Sequence, residues 1–200
     1  MDDVAGIRPP TCLAQIERRT VLLGFPMASE RRTGAMLRTL AAAKPGGKLL
    51  ELGTGTGLAT AWLLDGMDPR ATLITVDIDP HAQAIARVVL GTDSRLDIIT
   101  EDAAAFLEGL AAPGNAAGPG GFDLIFADAM IGKYTMLDQT LALLRPGGFY
   151  VIDDMLPQPS WPAGHAPKVP CLLATLAARV DLRLVTLSWS SGLAVAVRRG

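Results

Sequence analysis

The sequence predicts an α/β fold: a doubly wound, Rossmann-like sheet, mostly parallel, with helices on both faces. Three observations predict it. From Lys48 onward, short apolar runs alternate with helical segments five times, as repeated βα units do. The chain then closes on Leu182 to Trp189 and Leu193 to Arg198. Ser190-Ser191-Gly192 joins them as a hairpin, which brings the strand count to seven and adds an antiparallel edge strand. Finally, 200 residues, 50% of them hydrophobic, suit one domain with a sizeable core.

The elements follow in order. Residues 1–46 form an N-terminal helical segment, expected on the substrate or dimer side, and 47–200 form the core of the same single domain. Cys12 to Leu23 presents Leu13, Ile16 and Thr20 on one helical side. Gly24-Phe25-Pro26 breaks that helix, and a second runs from Ser29 or Glu30 to about Ala43. Lys48 to Leu52 is the first strand, and Leu58 to Leu64 a helix with Gly66 as its stop. Ala71 to Val76 is β-branched and apolar, as a buried parallel strand should be. Asp79-Pro80 caps and opens the next helix, which ends before Gly91. Leu96 to Thr100 is a strand and Asp102 to Leu110 a helix. Ala112 to Gly121, with four glycines and two prolines, reads as a flexible surface loop. Phe122 to Ala127 is a strand, Tyr134 to Leu144 a helix, Arg145 to Gly148 a turn and Phe149 to Ile152 a strand. Leu156 to Pro170 carries five prolines and reads as an extended loop before a helix over Cys171 to Arg179.

The chain is organised around Glu51-Leu52-Gly53-Thr54-Gly55-Thr56-Gly57, where the first strand stops in a glycine-rich turn and restarts as a helix. Such a turn at the carboxyl edge of a sheet is a nucleotide-type binding site. A dinucleotide fingerprint requires glycine at the sixth position from Gly53, and Leu58 stands there, which argues against a dehydrogenase. Polar groups recur at or near the other strand ends: Asp77, Glu101-Asp102, Asp128 and Asp153-Asp154. Clustered acids are costly unless they bind something. Asp77, 24 positions after Gly53, is placed to accept both hydroxyls of a ribose. Asp102 and the amide of Ala103 suit an adenine ring. Glu51 either faces the cationic end of the ligand or braces the turn. A sulfonium and an ammonium suit an acidic pocket where a pyrophosphate does not, so charge favours S-adenosylmethionine.

Composition excludes other classes. A net charge of −2 gives no global basic field for nucleic acid. Cys12 and Cys171 show no metal or redox spacing, which fits reduced thiols in the cytoplasm. No apolar run reaches the ~18 residues of a membrane span, and the Met-Asp-Asp start lacks the pattern of a signal peptide.

With those motifs in place, the chain resembles class I S-adenosylmethionine-dependent methyltransferases, and within them the catechol O-methyltransferase-like group of small bacterial O-methyltransferases. The match covers about residues 25–154. It rests on Met27-Ala28-Ser29, the Glu51 to Gly57 motif, Val76 to Asp79, Glu101-Asp102-Ala103, Phe122 to Ala129, Lys133-Tyr134, and Leu144 to Gly148 leading to Asp153-Asp154. The resemblance implies strand order 3-2-1-4-5-7-6 with the last strand antiparallel. It implies cofactor contacts at Met27, Ser29, Gly53, Asp77, Ile78, Asp102, Ala103 and Asp128, to which the turn itself adds Glu51, Thr54, Gly55 and Gly57. It implies a divalent cation, Mg²⁺ or else Mn²⁺ or Ca²⁺, held by Asp128, Asp153 and Asp154, orienting a hydroxyl of a small-molecule acceptor. Related proteins are often dimers, so a homodimer is expected, with no membrane partner and no nucleic acid.

Three departures stand out. Asp154 replaces the group's Asn. Ile131 occupies the position of its catalytic lysine, leaving Asp128 and Lys133, two positions on, as the catalytic candidates; a solvated residue at a helix start is the plain alternative for Lys133. The loop after Asp154 carries Trp161 and His165, residues suited to a substrate lid. Two rival functions remain. A tRNA-modifying methyltransferase needs a basic surface, for which Arg18, Arg19, Arg31, Arg32 and Arg38 are the candidates. A non-catalytic S-adenosylmethionine-binding protein is the other.

Overall fold

The computed structural model describes residues 6–112 and 120–200. Two helices lead: α1 (Leu13–Leu23) and α2 (Arg31–Ala42). Alternation then runs β1 (Lys48–Leu52), α3 (Leu58–Gly66), β2 (Thr72–Asp77), α4 (Pro80–Leu90), β3 (Leu96–Thr100) and α5 (Ala103–Ala111). It continues through β4 (Phe122–Ala127), α6 (Leu137–Leu143), β5 (Leu144–Ile152), α7 (Lys168–Ala177), β6 (Leu182–Leu187) and β7 (Leu193–Arg198).

The sheet order is β3-β2-β1-β4-β5-β7-β6. All pairings are parallel except those of β7 with β5 and β6. The antiparallel strand therefore lies between β5 and β6 and not at the edge, which β6 takes. Strand pleating sorts the core into two layers. Leu49, Leu124 and Phe126 face a cluster built with α1 to α4, including Ile16, Leu37 and Trp62. Leu50, Leu52, Ile125 and Ala127 face the other cluster, with Leu107, Leu141 and Leu172 from α5, α6 and α7. Helices thus cover both faces. From β1 the order runs outward one way through β2 and β3, and the other way through β4 and β5. The switch between β1 and β4 opens a crevice at their carboxyl ends.

Three boundaries move by three residues or more from expectation. The helix expected from Tyr134 begins only at Leu137, because Gly132 (φ 88°) and Met136 (φ 55°) take left-handed backbone that a helix does not admit. The helix expected from Cys171 begins at Lys168. Pro170 is then its third residue, where the missing N–H would have no helical partner anyway. Strand β5 starts at Leu144, with a register shift opposite Phe122 and Leu124 where the turn was expected. Most of the loop expected over Ala112 to Gly121 lies outside the described residues. Among the described residues no helix is long and apolar enough to cross a membrane.

Candidate functional site

A cleft of about 480 Å³ opens at the β1/β4 switch, a volume typical of small-molecule sites. Its two ends are built differently. At one end the turn after β1 runs through Gly53 (φ 103°) and Gly55 (φ 50°), and Gly53, Thr54 and Gly55 line the wall. A Cβ on Gly53 would lie 3.0 Å from the Asp128 carbonyl oxygen, so only glycine lets the two strand ends meet. Asp77 Oδ2 accepts from the Gly55 N–H at 2.7 Å and Oδ1 from the Asp79 N–H at 2.9 Å. Asp77 lines the cleft, and each oxygen has capacity to accept a further donor. Ile78, 67% exposed, and Ala103 offer apolar surface beside them. Asp102 also lines the cleft, while its Oδ1 caps α5 through the Ala104 and Ala105 amides. Met27 and Ser29 also line the cleft, from the segment before α2.

Two residues assigned to the ligand from sequence do not line the cleft. Gly57 is buried, and a Cβ there would lie 2.7 Å from that of Ala86, so its role is close packing of the turn on α4. Glu51 is fully buried on the α3 side of β1. Its Oε2 accepts from Thr60 and Thr75, each at 2.5 Å. It ties β1 to α3 and β2 on either side of the turn. Burial pushes its carboxyl up to about 8, and its Oε1 has no hydrogen-bond partner.

The other end gathers Asp128, Lys133, Asp153 and Asp154. Asp128 Oδ2 accepts from Ser29 Oγ at 3.0 Å. Its Oδ1 stands 3.5 Å from Lys133 Nζ, which donates to the Asp153 carbonyl at 2.9 Å. Lys133 is 5% exposed and so is not the solvated residue of the plain alternative. Asp153 Oδ1 accepts from Ser191 Oγ and from the Asp154 N–H. Burial raises both the Asp128 and the Asp153 carboxyls; Lys133 opposes the rise at each. Ser191, read from sequence only as a hairpin residue, lies 38 positions from Asp153 and carries no local signal of this contact.

The expected metal ligands, Asp128, Asp153 and Asp154, line the same end of the cleft. Among the described residues no three acidic, histidine or cysteine side chains are grouped so as to hold an ion. Lys133 bears on this. Its ammonium stands between the Asp128 carboxylate, at 3.5 Å, and the main-chain carbonyl of Asp153, at 2.9 Å, and so offsets part of the acidic charge that would draw a divalent ion there. Asp153 Oδ1 is already engaged by two donors besides.

A strap over this end comes from the proline-rich loop. Trp161 and His165 line the cleft, their rings 4.6 Å apart, and His165 Nε2 lies 3.1 Å from the Tyr134 hydroxyl. Burial pushes the Tyr134 hydroxyl up to about 12 and the His165 imidazole down. Acids therefore line both ends of the cleft, Asp77 and Asp102 at one and Asp128, Asp153 and Asp154 at the other, where Lys133 and the aromatic strap join them. That arrangement suits a positively charged, ribose-bearing ligand beside a flat one.

Comparison with known proteins adds a family to this geometry. Residues 50–155 match the family described as a methyltransferase domain. The chain is 36% identical over 138 residues to the catechol O-methyltransferase of Niastella koreensis, covering 66% of this chain and 61% of that protein. It is 31% identical over 134 residues to the catechol O-methyltransferase of Mycobacterium tuberculosis, covering 65% and 58%. The chain thus spans less than two thirds of the length of the curated relatives it matches. Two solved structures share its fold. One is the O-methyltransferase TomG of Streptomyces achromogenes, in complex with S-adenosylmethionine (TM-score 0.82, 23% identity, 98% of this chain, 92% of that one). The other is an O-methyltransferase of Bacillus cereus in complex with S-adenosylhomocysteine (TM-score 0.83, 21% identity, 97% and 93%).

Proposed function

The chain belongs to the methyltransferase-domain family, and from that premise we propose that it transfers a methyl group from S-adenosylmethionine to a hydroxyl oxygen of a small aromatic molecule. The observation that carries the reading is the continuity of the cleft. The glycine turn and Asp77 open into the same cavity as Asp128, Lys133 and the aromatic strap.

The residues fit the cofactor. Asp77 accepts the ribose hydroxyls, Ile78 and Ala103 flank the adenine, and Gly53 admits the methionine end near Asp128. When bound, S-adenosylmethionine supplies an electrophilic methyl group on a sulfonium, which the acceptor oxygen takes by in-line displacement. Asp128 receives the hydroxyl proton. Its partial burial raises its affinity for that proton above an exposed aspartate's, as a general base at neutral pH requires. Ser29 fixes its other oxygen. The strap of Trp161 and His165 seats the acceptor ring and limits water.

Two observations support a small acceptor over RNA. The acceptor end is lined by Trp161 and His165 of the strap, which suit a flat ring. Of the basic candidates, Arg31 is paired with Glu17 at 2.6 Å, and Arg38 with Asp65 at 3.1 Å. Self-association belongs to the same reading: α1 leaves Val21 and Leu22 79% and 86% exposed, a face suited to a second copy. The test of function is transfer of labelled methyl from S-adenosylmethionine to a panel of phenols and catechols. Labelled product from a phenolic acceptor supports the reading, and labelled RNA with no small-molecule product overturns it.

A further inference from the structure

The acceptor end of the cleft holds a cation that the chain brings itself. Lys133 is buried, yet its Nζ has two oxygen neighbours, the Asp153 carbonyl at 2.9 Å and Asp128 Oδ1 at 3.5 Å. The backbone is shaped to deliver it. Ile131 packs against the apolar core beneath α5, α6 and α7. Gly132 follows with φ 88°, and a Cβ there would lie 2.8 Å from Leu52 Cδ1. Its carbonyl accepts from the buried Tyr150 hydroxyl, and its N–H donates to the Thr135 carbonyl at 2.8 Å. These contacts fix a tight turn that carries Lys133 into the cleft. A buried ammonium is retained only with such partners.

We propose that Lys133 serves as a built-in cation in place of a divalent ion, tying the ends of β4 and β5 and donating a remaining N–H to the acceptor oxygen. This deepens the methyltransferase reading and rests on it. It also defines the acceptor class. A divalent ion grips two neighbouring oxygens, whereas an ammonium donates single hydrogen bonds and makes no such demand. The acceptor therefore needs one hydroxyl, and a phenol serves as well as a catechol.

The test is Mn²⁺ binding, followed by electron paramagnetic resonance, on the full chain and on Lys133→Ala and Lys133→Met. Methyl transfer to a phenol and a catechol is measured in parallel with EDTA or Mg²⁺. The wild type is expected to leave millimolar Mn²⁺ free. Either variant should bind it at least about tenfold more tightly, because the Asp128 carboxylate loses the cation beside it. Wild-type transfer should be unchanged by EDTA, with phenol and catechol within a few-fold of each other. Tight Mn²⁺ binding by the wild type overturns the proposal even if neither variant folds, and so does transfer abolished by EDTA. Calorimetry with S-adenosylmethionine on the same samples separates the two readings. Loss of cofactor binding removes the methyltransferase function, while the Mn²⁺ comparison still decides what Lys133 replaces.

Discussion

The two ends of the cleft are assembled by opposite strategies. The cofactor end is nearly local: Gly53, Gly55 and Asp77 come from one βαβ unit, and the longest hydrogen bond among them, Gly55 to Asp77, spans 22 positions. The acceptor end is built from distant pieces, with Ser29 reaching Asp128 across 99 positions and Ser191 reaching Asp153 across 38. The lesson is that a shared ligand is held by a motif, whereas the second substrate is met by whatever the loops bring together.

That contrast predicts separable effects. Asp128→Asn touches the acceptor end and is expected to lower kcat by about 10² to 10⁴, the range for loss of a general base, with cofactor affinity changed far less. Comparable losses in cofactor affinity and kcat would break the division. Asp77→Ala should do the reverse. Two hydrogen bonds to a carboxylate, at roughly 1.5 kcal/mol each, correspond to about 100-fold weaker S-adenosylmethionine binding by calorimetry.

Glu51 tests the frame beneath the cofactor end. The folded protein keeps a proton on Glu51 up to about pH 8, whereas the unfolded chain releases it near 4.5. Between those values the folded state binds more protons, so this group's contribution to stability falls as pH rises, by at most about 1.4 kcal/mol per unit. Glu51→Gln should flatten that slope and gain stability relative to wild type from pH 5 to pH 8 in denaturant titrations. An unchanged slope would show that Glu51 is ionised in the folded protein. The smallest effect belongs to the strap. Trp161→Ala should raise the acceptor KM about tenfold, or about 1.4 kcal/mol, and leave cofactor binding unchanged.

Legibility in the sequence follows the same division. The alternation of apolar strands with capped helices was plain because burial on both sheet faces forces it, as in Leu49 to Leu52 and Leu124 to Ala127. Asp77 and the glycine turn were legible because their spacing is set by one crossover. The Asp79-Pro80 helix start was legible because the cap is local. Lys133 was not. Its sequence neighbours suggest a helix start, and only Gly132 in left-handed backbone, locked by Tyr150, carries it inward. Three aspartates at strand ends read as metal ligands, and the ammonium beside Asp128 is what the sequence does not show. Ser191 had no signal, since a serine in a hairpin turn needs no further explanation. Glu51 was half legible. Its place in β1 was certain, but the Thr60 and Thr75 hydroxyls that claim it come from α3 and β2.

The central claim is that the β1 turn and Asp77 hold S-adenosylmethionine without help from a metal. Calorimetric titration of the protein with S-adenosylmethionine in excess EDTA tests it most directly. The account predicts one site per chain with micromolar affinity, unchanged when Mg²⁺ replaces EDTA and strongly weakened in Asp77→Ala. An absence of binding, or binding that appears only with Mg²⁺, would contradict it.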